Sequence, residues 1–346
     1  MPLLFDALDD FTTNTISNFK TGKWSDISLE HQEYVTARLI DEKSVQERGG
    51  PDIRFQIQVR NSNTARNTGL FAQDRTNVED VMEQGVMPWS MQTYNWSYDL
   101  AEDVFQTDRE TIIRELVVRE HAAKNSMAEL DEENFWTKPT SSSDKRPAGL
   151  PYWIVKDPST TPEGAFNGGN PSGFTSGAAG IDSTVYPRWR NWTFGYTNVS
   201  KDDLVRKLKK ALVFTKFVAP VPHPELGFGK AEREVYTTYR VMEPLESLAE
   251  SRNDNLGNDV ARYMGSVVVG GVPFKMAFYL EANDTDDPLY GINWKYFRPY
   301  VKKGWHMLRH PPKPGAKQHT VREVHVDNAM NYICYNRRAL WVGSKQ

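Results

Sequence analysis

Hydrophobic and polar positions alternate without a break from Ile53 to Arg60: Ile53, Phe55, Ile57 and Val59 fall on one parity, Arg54, Gln56, Gln58 and Arg60 on the other. Period two predicts a half-buried strand. A return strand is predicted within 86–100. Met87, Trp89 and Met91 share one parity and Tyr94, Trp96 and Tyr98 the other, which places a bulge or strong twist near Gln92-Thr93. About 25 mostly polar residues, Asn61 to Gly85, separate the two runs, longer than an ordinary connection. The pattern describes a long two-stranded ribbon, which needs something to lie against.

Thr107-Asp108-Arg109-Glu110 reads as a capping box, and Ile112, Leu116, Ala123, Met127 and Leu130 continue at helical spacing. These predict a helix over 107–132, closed by a solvated acidic end at Asp131-Glu132-Glu133. Paired acids also serve metal or acid–base chemistry, but a helix end is the simpler place for them. Residues 1–50 hold short apolar pieces (Leu3, Leu4, Phe5, Leu8, Phe11) with no lasting period. They predict an extended arm with one or two short helices; an ordinary N-terminal helix packed on its own domain fits the same pattern.

Residues 137–186 are rich in Pro, Gly and Ser, with one compact strand expected at Tyr152-Trp153-Ile154-Val155. The Gly-rich stretch that follows lacks the Lys of a phosphate loop. A second helix opens at Ser200, with Asp203 at the capping-box position. Its buried face is Leu204, Leu208, Ala211, Leu212 and Thr215; its outer face is Arg206, Lys207, Lys209 and Lys210. That basic face is either solvated or turned toward phosphate. A strand over 234–239, a helix over 244–251, a polar turn at 252–257, a helix over 257–264, a Gly270-Gly271 turn and a last strand over 332–342 complete the pattern.

The chain has 346 residues, 39% hydrophobic and 25% charged, enough for one large domain or two moderate ones. A net charge of −3 excludes a polybasic nucleic-acid coat. One cysteine, Cys334, excludes an intrachain disulfide framework and any Cys-rich metal site. No apolar run approaches the ~20 residues of a spanning helix, and the first residues lack a signal-peptide pattern, so a soluble intracellular product is expected. From residue 290 onward eleven basic residues face two acidic ones, which leaves about −12 on the first 289. Charge of opposite sign at opposite ends suits subunits meeting head to tail, and DNA binding is the rival reading of the basic end.

No catalytic constellation emerges. His306 and His310 lack the Glu of a zinc-protease motif, and His319 and His325 lie in a scattered Pro-rich region. Cys334 has no nearby His in sequence to activate it, and no GxSxG elbow occurs. The ten Trp are spread along the chain, which suits core and interface anchoring better than a sugar-binding platform. No catalytic residue, cofactor or metal ligand is assigned.

Taken in order, these elements resemble the tailed-bacteriophage major capsid proteins of Hong Kong 97-type fold, over almost the full length. The segments that carry the likeness are the ribbon Ile53–Tyr98 followed by the long helix, GLPYWIV at 149–155 with FNGGNPSG at 166–173, YPRWRNWT at 186–193, LESLAESRNDNLG at 245–257, VGGVPF at 269–274 with YGINWKYF at 290–297, and NRRALWV at 336–342. The resemblance implies an α+β capsid fold: an N-arm over 1–50, an E-loop β-hairpin over 51–98, a peripheral domain over 99–199 with its spine helix at 107–132 and a Gly-rich connection, an axial domain over 200–285, and a return to the peripheral domain over 286–346. It implies a structural role, not an enzymatic one: self-assembly as hexamers and pentamers into an icosahedral shell around packaged double-stranded DNA. The protein would be built in the bacterial cytoplasm and end in the virion. Expected partners are other copies, a separate scaffolding protein, a portal protein, a candidate decoration or cement protein and, weakly, the DNA; no membrane is expected. Candidate contact residues are Arg60, Arg66, Phe71, Arg75 and Trp89 on the E-loop and Leu4, Phe5 and Phe11 on the N-arm. Lys207, Lys210, Arg337 and Arg338 are candidates for facing DNA or a neighbour.

Two departures from the family pattern matter. Some members cross-link through an E-loop Lys, yet no Lys lies between Lys43 and Lys124, so a non-covalent shell is expected. Some carry a long cleaved N-terminal region, whereas about 50 residues precede this ribbon, so no large N-terminal processing is expected. Two rival readings stand beside this one: an encapsulin-like nanocompartment shell, and a cytosolic carbohydrate-active enzyme.

Overall fold

Two β-sheets and one long helix carry the architecture. The computed structural model describes residues 34–36, 46–62, 64–70, 80–99, 109–157, 162–216, 232–250, 267–315 and 318–346. Near the start, β1 (Gln46–Arg48) precedes a hairpin of β2 (Asp52–Gln58) and β3 (Met82–Pro88), paired in register from Asp52↔Pro88 to Gln58↔Met82. The chain then enters β4 (Ser90–Asp99), which does not belong to the hairpin. It runs antiparallel to a strand near the C-terminus, with pairs from Ser90↔Met330 to Asp99↔Val321.

The frame change therefore falls at Trp89 and not near Gln92-Thr93. Buried parity passes from Gly85 and Met87 to Ser90 and Gln92. Pro88 is the last residue of β3, and its carbonyl accepts from the Asn331 side chain at 2.8 Å. Asn331 Oδ1 takes the backbone N–H of Ala148 at 2.9 Å, and Ser90 Oγ donates to the Lys145 carbonyl at 2.5 Å. These side-chain bonds pin the crossing from ribbon to sheet, and no local pattern announces them.

Helix α1 (Arg109–Trp136) is 28 residues long and extends four residues beyond the predicted end. The predicted cap at Thr107-Asp108 lies outside the described residues. Met127 is buried, as expected, whereas Leu130 is 39% exposed. The buried stripe runs instead through Met127, Asp131 and Phe135, four residues apart. The predicted strand at 152–155 is a helical turn, α2 (Leu150–Trp153), with Pro151 in its first turn. Leu150, Tyr152, Trp153 and Ile154 are all buried, and an apolar run with no exposed side has no period from which to choose helix or strand.

The seven-stranded sheet is ordered β5 (Ala165–Gly168), β6 (Asn191–Tyr196), β15 (Trp341–Lys345), β10 (Leu289–Asn293), β7 (Arg233–Thr237), β9 (Val272–Met276), β8 (Val268–Val269). After β6, Ser200 caps a π-helical turn (Lys201–Val205), accepting from Asp203 N, and the turn feeds α3 (Arg206–Phe214). Leu204, Leu208, Ala211, Leu212 and Thr215 are buried there as predicted. Helix α4 (Tyr239–Glu250) begins five residues before its predicted start. Its first N–H is taken by Glu281 Oε2 at 2.7 Å, a cap supplied by α5 (Phe278–Asn283), so Pro244 is not the N-terminal residue it resembles. The turn and helix expected at 252–264 lie outside the described residues.

The six-stranded sheet is built on β14 (Gln318–Cys334), 17 residues long. Along its edge away from β4 lie β11 (Phe297–Lys302), β12 (Leu308–Arg309) and β13 (Lys313–Gly315), and β1 adds in parallel to β11. The single last strand expected over 332–342 is thus two strands in two sheets, joined by a 3₁₀ turn at Arg337–Ala339. Residues 286–346 contribute to both sheets.

Close approach in the seven-stranded sheet needs glycine at Gly291, where any Cβ would strike the Trp341 indole on the neighbouring strand. Gly291→Ala is expected to cost roughly 1–3 kcal/mol through overpacking. An unchanged denaturation midpoint would show that the indole has room to move.

Candidate assembly surface

The ribbon is held by one face. Ile53, Phe55, Val59, Gly85 and Met87 are buried against the body, while Arg54, Gln56 and Gln84 are exposed. The Phe55 ring meets Tyr335 edge-on at 5.5 Å and fills the space over Gly85. Val86 N donates to the Ala179 carbonyl at 3.1 Å. The root of the ribbon is therefore docked on its own subunit, a correction to the picture of a free projection. Beyond it, the described residues from Arg60 to Leu70 are exposed, and Leu70 is 93% exposed. Met82 and Val86 on the outer face, and Met91 on β4, are also open to solvent. This apolar surface on a polar loop is the feature a partner would cover.

The candidate residues fall into distinct settings. Arg60 lies over the Tyr186 ring, 5.2 Å from its centroid, at the rim of a cleft. Arg66 is on the exposed loop. Trp89 is half-buried, and its indole N–H donates to the Gly50 carbonyl at 3.0 Å, so it serves its own subunit. Phe71, Arg75, Leu4, Phe5 and Phe11 lie outside the described residues. Arg338 is half-buried with its guanidinium over Phe166 at 3.9 Å, and Lys210 lies over Trp192 at 5.9 Å and donates to the Glu163 carbonyl.

Two basic candidates face inward. Lys207 is buried; its ammonium bonds the Gly195 carbonyl at 2.8 Å and pairs with Asp203 at 2.6 Å. The helical stripe of α3 is wide enough to include position 207, and an i,i+4 carboxylate neutralises the amine. Arg337 is fully buried, and among the described residues no carboxylate pairs with it. Its Nε donates to Trp153 O at 2.8 Å, Nη1 to Trp189 O at 2.9 Å, and Nη2 to Gly169 O at 2.8 Å and Asn191 Oδ1 at 3.2 Å. Neither residue is on a surface that DNA or a neighbour could touch.

Two of the three acids at the helix end are not solvated either, whereas Glu133 keeps a half-exposed side chain 3.6 Å from Arg146. Asp131 and Glu132 are 3% and 2% exposed. Glu132 accepts from Thr36 N and Oγ1, both at 2.9 Å, and from Trp136 Nε1 at 2.7 Å, tying residue 36 to the helix. Asp131 accepts from Gln92 Nε2 at 2.8 Å, and burial pushes its carboxyl up to about 6. Gln92 Oε1 accepts from Asn328 at 3.1 Å, and Asn328 Oδ1 meets His306 Nδ1 at 3.2 Å. These groups are joined in a hydrogen-bond chain across β4 and β14. The sequence signal was available: position 131 continues the stripe from 127 to 135.

Among the described residues no group of three or more His, Cys, Asp or Glu is placed to hold a metal ion. His310 pairs with Asp327 at 2.8 Å and His325 with Glu323 at 3.6 Å. Cys334 is buried, and burial pushes its thiol up to about 12. Trp136, Trp153, Trp189, Trp192, Trp294 and Trp341 are core residues, as core anchoring predicts. No described helix is long and apolar enough to cross a membrane.

The arrangement of docked ribbon, long helix and two sheets is similar to that of solved phage capsid subunits. A solved subunit of the cyanophage A-1(L) capsid superposes with a TM-score of 0.63 at 12% identity, covering 92% of this chain and 95% of that one. The capsid subunit of a native GTA particle gives 0.55 at 9% identity, covering 93% and 94%. That of the Myoviridae phage XM1 gives 0.53 at 9% identity, covering 95% and 98%. No family model matches the sequence, and no curated protein matches it. At such identities the likeness is one of fold.

Proposed function

We propose that this chain is the major capsid protein of a tailed phage: a subunit that assembles with its own copies, as hexamers and pentamers, into the icosahedral shell that encloses packaged double-stranded DNA in the virion. The observation that carries this reading is the superposition on capsid subunits over more than nine-tenths of both chains. The exposed apolar residues on and beside the ribbon, Leu70, Met82, Val86 and Met91, agree with it, because repeated contacts in a closed assembly would cover them. On this reading residues 1–50 are the N-arm, 51–98 the E-loop, α1 the spine helix, and the segment around α3 and α4 most of the axial domain. A scaffolding protein, a portal and a decoration protein would be its partners during assembly.

Electron microscopy of the purified chain, alone and co-expressed with a scaffold encoded beside it, tests the proposal; closed shells are expected. Shells holding a folded enzyme instead of nucleic acid would favour the nanocompartment, and a solitary subunit under every condition would sink both. A denaturing gel of the shells should show single subunits only, because no Lys lies between Lys43 and Lys124 to form an isopeptide link from the ribbon.

A further inference from the structure

Where β2 runs out into the exposed loop lies an open cleft of about 330 Å³. Residues 59–61 and 185–188 line it, and they bring Arg60 and Arg188 together beside the aliphatic Val59 and Val185. Both stretches of backbone are fixed. Val59 N donates to the Val81 carbonyl at 3.0 Å, and the Gln58 side-chain amide donates to the Arg60 carbonyl at 3.1 Å. Trp189 N donates to the Tyr186 carbonyl at 2.8 Å, closing a turn with Pro187 and Arg188 at its tip. That turn is rooted in the core: buried Trp189 gives its indole N–H to the Ala178 carbonyl at 3.2 Å, and its own carbonyl accepts from Arg337. Arg60 is held over the Tyr186 ring as well. Two guanidinium groups are thus presented on rigid backbone, which reduces the entropy lost when they grip a ligand.

No carboxylate lines the cleft. Glu83 accepts from the Tyr186 hydroxyl, and Asp80 acts on that hydroxyl through its charge. Neither Arg60 nor Arg188 forms an ion pair with a described residue. A third cation stands near: burial, and after it the like charge of Arg188, lowers the pKa of Arg338. Gathered guanidinium groups repel one another. A carboxylate cancels one of them, whereas a phosphate dianion or a diphosphate cancels two or more and offers oxygens to both forks at once. The aliphatic neighbours keep the local dielectric below that of water and strengthen such a pairing. We propose that this cleft is a binding site for phosphate-class oxyanions, with Arg60 and Arg188 as its paired clamps. The site goes beyond the shell reading and stands whether or not the chain assembles.

Calorimetric titration of the full-length chain with pyrophosphate, in about 0.15 M salt, tests it. One site per chain is expected. Arg60→Gln with Arg188→Gln should weaken binding at least about tenfold, equivalent to about 1.4 kcal/mol. Arg60→Lys with Arg188→Lys keeps the charge but loses the forks, and should fall between the parent and the glutamine pair. Arg54→Gln removes an exposed arginine of the ribbon outside the cleft and should bind as the parent does. Arg60 and Arg188 are exposed, so these variants should keep the parent's denaturation midpoint. A short duplex DNA separates the sources of phosphate. If it displaces pyrophosphate, with a salt slope lowered by about one for each arginine removed, the ligand is a nucleic-acid backbone. If it does not, the ligand is a free phosphate or diphosphate. No binding by the parent, or equal affinity in the parent and the glutamine pair, would overturn the site. Polyglutamate bound as tightly as pyrophosphate would overturn it in favour of a carboxylate-bearing partner.

Discussion

Arg337→Lys should lower the unfolding free energy by about 3–5 kcal/mol, measured by denaturant titration. Among the described residues the guanidinium alone meets the carbonyls of Trp153, Trp189 and Gly169 together, and those residues belong to three different segments. With no carboxylate on it among the described residues, the cation is held by oriented carbonyl dipoles and Asn191; burial lowers its pKa to about 10, so it stays charged at neutral pH. An ammonium carries its donors at a single point and cannot reach acceptors on several sides at once, so carbonyls would be left buried and unpaired. Arg338→Lys is the control. That residue is half-buried over Phe166, and its replacement should cost less than about 1 kcal/mol. Equal losses in the two variants would show that the buried site is no more demanding than its neighbour.

Asp131→Asn should act in the opposite direction and stabilise the protein at neutral pH. In the unfolded chain this carboxyl titrates near 3.8; in the fold burial raises it to about 6, Gln92 pulls it down less strongly and the charge of Glu132 adds to the rise. Between these values the unfolded chain has lost a proton that the folded one keeps, so stability falls as pH rises from about 4 to about 6. Above pH 6 the penalty is complete, at about 3 kcal/mol for the difference. Asparagine keeps an oxygen for Gln92 Nε2 and carries no charge. The variant should therefore gain up to about 3 kcal/mol at pH 7.5, gain little at pH 4, and lose this part of the pH dependence. Parallel pH profiles for variant and parent would mean that Asp131 is not the group that titrates.

Legibility followed the range of the interaction that decides each element. The β2 strand, the Ser200 cap and the buried face of α3 were readable because period and capping are local chemistry. The order of elements was readable enough to point to the fold. The strand exchange at Trp89 was not, because Asn331 and Ala148, far along the chain, decide where the ribbon ends. The same holds for α4, whose first turn depends on Glu281. At the candidate site the errors share one cause. Lys207, Arg337, Asp131 and Glu132 carry formal charge, and charge reads as exposure unless partners distant in sequence are known.

The bond from Thr36 to Glu132 makes residue 36 a hitching point. Tension drawn along the amino-terminal strand of chain is delivered first to the last turn of α1, and from there through Trp136 and Gln92 into both layers beneath. A pull on that leader is felt in the frame of the subunit before it can peel β1 from the edge of its sheet.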